Sequence, residues 1–321
     1  MFISTIKFSD YHQIIKVQLL SIIIPVYNEV ENIQLLYDSL IFYSPKEYEF
    51  IFVDDGSKDN TMAEIEKIAS KDERIKCISL SRNFGHQNAL MAGMENASGD
   101  NIIIMDGDLQ HPPSLIPVML NTLNMGFDLV STKRVKTEDI SVFKSMMANV
   151  FYSFINTISE TKIEANVADF KAFNRKVLNS ILQFKERELF LRGIFSWIGY
   201  KSTTIEFDAP SRKFGKTKYS FIKMLRLALK GTTSFSFKPL RIALLVGSAI
   251  SLAAFGFGIF ALTAYFKGNT VPGWASLIIA VMFLGGTQLL AIGLLGEYIA
   301  SLFTETKRRP LYLVDRKINI K

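Results

Sequence analysis

From Ile242 to Phe266, and again from Val271 to Leu295, the chain runs for 25 residues without a charged side chain. A helix needs about 20 predominantly apolar residues to cross the hydrocarbon layer of a bilayer, so each run is long enough to span one. The link Lys267-Gly268-Asn269-Thr270 predicts a transmembrane hairpin over residues 239–298. Lys230, Lys238 and Arg241 precede the pair and Lys307, Arg308 and Arg309 follow it, against Lys267 alone in the link. Positive charge collects on the cytoplasmic side of membrane helices. The expected placement is a multi-pass protein of the inner (plasma) membrane with both termini cytoplasmic. Two buried helices of a soluble core are the duller reading, and such helices rarely reach this length.

The apolar surplus (mean hydropathy +0.21) falls mostly after Leu240, which leaves the front of the chain as a water-soluble domain, expected at 19–218. A net charge of +7 favours anionic partners such as phosphates, nucleotides and acidic lipids. Nucleic acid is not an expected partner, because no basic run interleaved with aromatics and no zinc-ligand spacing occurs. Cys77 is the only cysteine, so no internal disulfide can form, and it reads as a small buried residue on a strand. Residues 1–18 carry Lys7, Asp10, His12 and Lys16, lack the apolar core of a signal peptide, and read as an N-terminal extension.

Within the soluble part, short apolar runs alternate with helical patterns. Strands are expected at Leu19–Val26, Glu49–Val53, Lys76–Leu80 and Asn101–Met105, and helices at Glu31–Phe42, Thr61–Ser70 and Gln87–Asn96. This alternation predicts an α/β domain of βαβ units around a mostly parallel, Rossmann-like sheet. Ligands of such sheets sit beyond the carboxyl ends of the strands, where the Asp-rich turns of this chain fall. Two further segments, 139–158 and 219–230, are apolar and aromatic but too short or too polar to span. They are expected to lie along the membrane surface, the second within a juxtamembrane amphipathic helix at 219–238. Ordinary amphipathic packing on the domain is the alternative. Residues 299–321 read as a cytoplasmic basic tail.

Asp106-Gly107-Asp108, with Gln110 two residues on, is the strongest local signal. Two carboxylates one residue apart at a strand end can share a divalent cation whose coordination a nucleotide diphosphate completes. Cleavage of a sugar–phosphate bond leaves negative charge on the diphosphate, which a hard cation stabilises. An Asp-x-Asp alone is common in solvated turns; its position after a hydrophobic strand and before Gln110-His111-Pro112-Pro113 favours the functional reading. Asp54-Asp55-Gly56-Ser57 is compatible with a simple β-to-α turn or with a carboxylate that accepts hydrogen bonds from a base or ribose. No catalytic triad, dinucleotide fingerprint or Walker-A loop is present.

Taken together, Pro25-Val26-Tyr27-Asn28-Glu29, Asp54–Ser57, Ser81-Arg82-Asn83-Phe84-Gly85 and Asp106–Pro113 resemble the motifs of family-2 glycosyltransferases of the GT-A fold. Arg212-Lys213-Phe214-Gly215-Lys216-Thr217-Lys218-Tyr219 resembles a segment of dolichyl-phosphate mannosyltransferase-like enzymes, with Thr217 where serine is usual. Gly296–Ile299 and Lys307–Tyr312 resemble the tail of the bactoprenol glucosyltransferase branch. The resemblance implies that Pro25, Tyr27, Glu29, Val53 and Asp55 line the nucleotide pocket. It implies that Asp106, Asp108 and Gln110 hold Mg²⁺ or Mn²⁺, with Gly107 permitting close backbone approach. Arg134, Arg212 and Lys218 would grip the phosphates of donor and acceptor, with Lys144 a weaker contact, as guanidinium–phosphate geometry favours. Asp169 falls where the family has its candidate catalytic carboxylate. An acceptor phosphate is largely ionised at neutral pH and scarcely needs a base, so Asp169 is expected to orient sugar or acceptor as much as to take a proton.

The implied reaction is inverting transfer of a hexose, by preference glucose from UDP-glucose, to undecaprenyl phosphate for cell-envelope glycan modification. GDP-mannose or a UDP-amino sugar are the alternative donors. A homo-oligomer, a downstream flippase and a second glycosyltransferase are the expected protein partners. A processive polysaccharide synthase would carry a Gln-x-x-Arg-Trp motif, and neither Trp197 nor Trp274 lies in one. An inactive membrane-complex subunit would have no reason to keep Asp55, Asp106, Asp108, Arg212 and Lys218 together.

Overall fold

A computed structural model describes residues 19–135, 167–187, 189–208, 238–267 and 273–320. The extension 1–18 and the segments 139–158 and 219–230 fall outside these residues. Close packing divides the described chain into two units: the sheet domain up to 208 joined by the tail from Arg309, and the long helices up to Arg308.

The first unit is built from β1 (Leu20–Val26), α1 (Val30–Tyr43), β2 (Tyr48–Asp54), α2 (Thr61–Ala69), β3 (Ile75–Leu80), α3 (His86–Glu95), β4 (Asn101–Ile104), α4 (Ile116–Asn124), β5 (Leu129–Arg134), β6 (Val167–Asn174), α5 (Arg175–Ile181), α6 (Leu191–Trp197) and β7 (Ser202–Phe207). The chain closes it with β8 (Val314–Ile318) after the second unit. The eight-stranded sheet has the order β7-β5-β6-β4-β1-β2-β3-β8. Neighbours from β4 through β1 and β2 to β3 are parallel; β6 runs antiparallel to β4 and β5, β7 parallel to β5, and β8 antiparallel to β3. The sheet is mixed and mostly parallel, with α/β connections, as the alternating pattern predicts.

Every residue of β1 and β2 is buried, which is why these strands read as unbroken apolar runs rather than alternating ones. One side of the sheet carries Ile22, Ile24, Phe50, Phe52 and Ile103, packed with Ile33, Leu36 and Leu40 of α1, Ile65 of α2 and Ile116, Met119 and Leu120 of α4. Burying side chains of this size contributes about 1.5–3 kcal/mol each relative to exposure. Helix α5 is capped by Asn174, whose side chain accepts from the Val177 N–H at 3.1 Å and so satisfies one otherwise unpaired helix donor.

At one end of the sheet the buried Glu49 is fully tied. Its Oε1 accepts from Ser21 Oγ at 2.5 Å and the Ser98 N–H at 2.6 Å, and Oε2 pairs with Lys76 Nζ at 2.5 Å. Burial raises its pKa, but these donors and the Lys76 charge outweigh it and hold the carboxyl below its ordinary range.

The second unit holds α7 (Lys238–Phe266) and α8 (Trp274–Thr306). Within them Leu240–Phe260 and Ala280–Thr306 are long and apolar enough to cross a membrane, and neither window is buried by protein. Helix α8 runs 11 residues past the end of the charge-free stretch at Leu295, because Glu297 and Glu305 interrupt the apolar run without breaking a helix. Within residues 299–320, the stretch up to Thr306 forms the last turns of α8 and Val314–Ile318 forms the strand β8.

Candidate active site

The order of the strands creates the site. From β1 the chain moves outward to β2 and β3, then returns to β4 on the other side of β1, so a crevice opens at the carboxyl ends of β1 and β4. Pro25 lies in β1 paired with Val53 of β2, Tyr27 and Glu29 follow β1, Asp55 follows β2, and Asp106-Gly107-Asp108 follows β4. Pro25 and Val53 are buried in the sheet, so they offer a ligand little beyond backbone.

Tight fits hold these loops. Gly107 lies so close to β1 that a Cβ there would stand 2.7 Å from Val26 Cγ1, so the close approach concerns the sheet itself. Leu109 adopts a left-handed φ of 61°, uncommon for a non-glycine residue and often a mark of functional turns. Asp55, nearly fully buried, accepts from the N–H groups of Phe84 (2.7 Å) and Gly85 (2.9 Å). Burial raises its pKa against the pull of these two donors. Asp55 thus holds the 81–85 loop, and that loop leads into α3, whose first residue is His86.

The His86 Nε2 stands 2.8 Å from Asp106 Oδ1. Desolvation opposes a charge on His86, the Asp106 carboxylate favours one, and the carboxylate prevails, raising the imidazole pKa. The buried His111 accepts the Asp106 backbone N–H on Nδ1 at 3.0 Å and stacks on Phe170 of β6, with ring centroids 5.1 Å apart. Burial lowers its pKa against the opposing pull of the Asp106 carboxylate, and its Nε2 stands 3.7 Å from Asp106 Oδ2 and 3.4 Å from Arg134 Nη2. Burial would raise the Asp106 pKa, but His111, His86 and Arg134 together drive it far below the ordinary carboxylate range. Asp106 is held ionised and aimed from two sides.

Arg134 ends β5 and donates from Nη1 to Gln110 Oε1 at 3.3 Å; its buried Nε has no partner among the described residues. The carbonyl that could serve as a third metal ligand therefore faces a guanidinium. Asp108 Oδ1 accepts the Gln110 N–H at 3.1 Å. Among the described residues no group of three His, Cys, Asp or Glu side chains forms a metal cage. The donor set Asp106 and Asp108 still fits a hard divalent cation that keeps outside oxygen ligands, since such ions are commonly held by one or two carboxylates plus substrate phosphates.

Asp169, on β6, receives both prongs of Arg192 from the first turn of α6: Nε to Oδ1 at 2.8 Å and Nη2 to Oδ2 at 2.7 Å. Burial raises the Asp169 pKa, but the Arg192 hydrogen bonds and charge prevail and lower it. Asp106, His86 and Asp169 lie within electrostatic reach of one another. The structure thus gathers Asp106, Asp108, Gln110, Arg134 and Asp169 around one strand-end crevice, next to the loop that Asp55 holds. Lys144, Arg212 and Lys218 lie outside the described residues. Arg192 is the addition that sequence reasoning missed. Asp169 stands between the buried Ala168 and Phe170, where a carboxylate calls for a cation nearby, but nothing local in the sequence marks Arg192 as that cation.

A sheet of this order, with an Asp-x-Asp turn beyond its central strand, defines a GT-A nucleotide-sugar transferase fold. The family model for glycosyl transferase family 2 matches residues 21–182. An uncharacterized glycosyltransferase of Synechocystis sp. is 41% identical over 300 residues, covering 92% of this chain and 94% of the relative. A prophage bactoprenol glucosyl transferase homolog of Escherichia coli K12 is 41% identical over 301 residues (92% and 98%), and a bactoprenol glucosyl transferase of Shigella phage SfV is 39% identical over 303 residues (93% and 98%). The chain belongs to glycosyl transferase family 2 and is a glycosyltransferase.

Proposed function

We propose that the protein transfers a single hexose, glucose from UDP-glucose, to the phosphate of a polyisoprenyl lipid at the cytoplasmic face of a membrane. The observation that carries this reading is near-full-length similarity to bactoprenol glucosyl transferases in a chain whose ends join a GT-A domain to two membrane-length helices. In this reading the domain expected at 19–218, with β8, would face the cytoplasm and 239–298 would lie in the membrane, and 139–158 and 219–238, mostly outside the described residues, would lie along its surface. Arg212 and Lys218, and less strongly Lys144, would supply the cations that meet the acceptor phosphate.

Asp106 and Asp108 would hold Mg²⁺ or Mn²⁺, which when bound neutralises charge on the departing diphosphate. His86 and His111 keep the Asp106 carboxylate ionised and aimed, and Arg134 adds positive charge beside it and orients Gln110. Pro25, Tyr27, Glu29, Val53, Asp55 and Gly107 form the nucleotide side of the crevice, largely through loop shape. An acceptor phosphate oxygen bonds to the anomeric carbon as the bond from that carbon to the diphosphate oxygen breaks on the opposite face, inverting the centre. The attacking oxygen is already ionised, so no proton need be removed. The bidentate grip of Arg192 on Asp169 favours an orienting part for this pair over proton abstraction.

The test incubates detergent-purified full-length protein with undecaprenyl phosphate, Mg²⁺ or Mn²⁺, and labelled nucleotide sugars. Label enters the organic phase from UDP-glucose, and chelation of the metal or the Asp108→Ala substitution abolishes it. Transfer from GDP-mannose or a UDP-amino sugar instead corrects the donor. Absence of lipid-linked label from every donor, with nucleotide still bound, overturns the acceptor.

A further inference from the structure

The C-terminal tail returns to the catalytic sheet at a functionally sensitive place. Strand β8 pairs antiparallel with the edge strand β3, with Cys77 opposite Ile318, Ile78 opposite Lys317 and Ser79 opposite Arg316. The register then slips between Ser79 and Leu80, so that Leu80 meets Val314 and Asp315 is left over as the extra residue. One step further, the Ser81 N–H donates to the Leu313 carbonyl at 2.9 Å. Ser81 opens the loop whose far end Asp55 holds at Phe84 and Gly85, and which delivers His86 to Asp106. The tail therefore fixes the near end of the loop and Asp55 its far end.

The same tail grips α3 and its surroundings. The Tyr312 hydroxyl donates to Glu95, the last residue of α3, and Lys317 Nζ donates to the Asn96 side chain at 2.8 Å. Arg316 pairs with Glu66 of α2. Asn319, in a left-handed φ of 55°, donates from Nδ2 to the carbonyls of Ala69 (2.9 Å) and Ile75 (2.8 Å) and so closes the end of β8 onto the start of β3. Partly buried Ile318 packs on the main core. A free polar tail would not be expected to meet the sheet edge, two helices and a loop root with side chains matched at each.

We propose that residues 310–320 are a positioning element for the donor site: docked on β3 and α3, they hold the 81–85 loop and His86 in the geometry that nucleotide-sugar binding needs. The proposal rests on the reading of the Asp106–Asp108 crevice as the donor site. Loss of the tail lowers the fraction of molecules with a competent loop, and apparent affinity falls in proportion to that fraction. The first variant truncates the chain after Arg309. Its KM for the nucleotide sugar rises about tenfold while kcat stays within about twofold, since the reacting groups are untouched. A synthetic peptide of residues 310–320 added in trans restores KM. Because an opened sheet edge invites aggregation, a second variant, Tyr312→Phe, keeps the ring and removes only the hydroxyl to Glu95. In it KM rises about threefold and amide exchange across 81–88 quickens.

Unchanged KM and unchanged exchange at 81–88 in folded Tyr312→Phe overturn the proposal, as does a truncated, folded enzyme with normal KM. A fall in kcat alone, without a change in KM, also contradicts it. Asp108→Ala in the same assay separates the two readings: if that variant keeps full activity, the crevice itself is misassigned; if it is inactive while the tail variants are normal, only the tail proposal fails.

Discussion

Asp169 sits where a catalytic base would be sought, yet both its oxygens are taken by one guanidinium. A carboxylate so paired is a weaker proton acceptor than a free one, and its partner gains a fixed orientation that a long side chain would otherwise lack. The pair should therefore behave as one device. Asp169→Asn and Arg192→Lys each lower kcat by about tenfold or more, and the double variant is little worse than either single one. Steady-state kinetics on the four proteins of the cycle checks this; multiplicative losses contradict it. Glu49 offers a test far from chemistry. Its folded pKa lies below the unfolded value, so its contribution to stability is present above the ordinary glutamate range and is lost as pH falls through the folded value. Thermal unfolding of wild type and Glu49→Gln should differ most near neutral pH and converge in acid. A gap that widens as pH falls would contradict the assignment.

At the scale of elements, the loops after β2 and β3 are built as a pair. Gly56 has φ 70°, and a Cβ there would fall 2.5 Å from the Arg82 carbonyl carbon, a backbone atom that cannot swing aside. Gly56→Ala should cost about 2 kcal/mol or more through left-handed strain and the displaced 81–85 loop, and should raise KM for the nucleotide sugar. Calorimetry and kinetics together check it; a change in stability with no change in KM would separate this turn from the donor site. The same elements explain what could be read from sequence. Strands β1 to β4 are buried on both faces or nearly so, and their apolar runs end at turn residues, so strands and motif loops were legible together. Strands β5 and β6 mix apolar positions with Lys133, Arg134, Asp169 and Lys171, whose partners come from elsewhere in the fold. The Arg192–Asp169 pair joins a helix to a strand 23 residues away in sequence, which no local pattern marks. Strand β8, with the sequence Val-Asp-Arg-Lys-Ile, pairs on one side only and so lacks the apolar signature of a central strand.

On the scale of the whole molecule, the chain makes its sheet domain, leaves it for two membrane-length helices, and returns to complete the sheet with its last strand. The proposed reaction would bring a soluble donor to a membrane-bound acceptor, and a strand-end crevice and two membrane-length helices in one polypeptide suit that task. The measurement that tests the account most directly is the mass of the product formed from undecaprenyl phosphate, UDP-glucose and metal. The account predicts lipid phosphate carrying one hexose, with one UDP released per lipid consumed and none released when the lipid is omitted. A water-soluble polymer, a lipid bearing several sugars, or UDP release independent of lipid would contradict it.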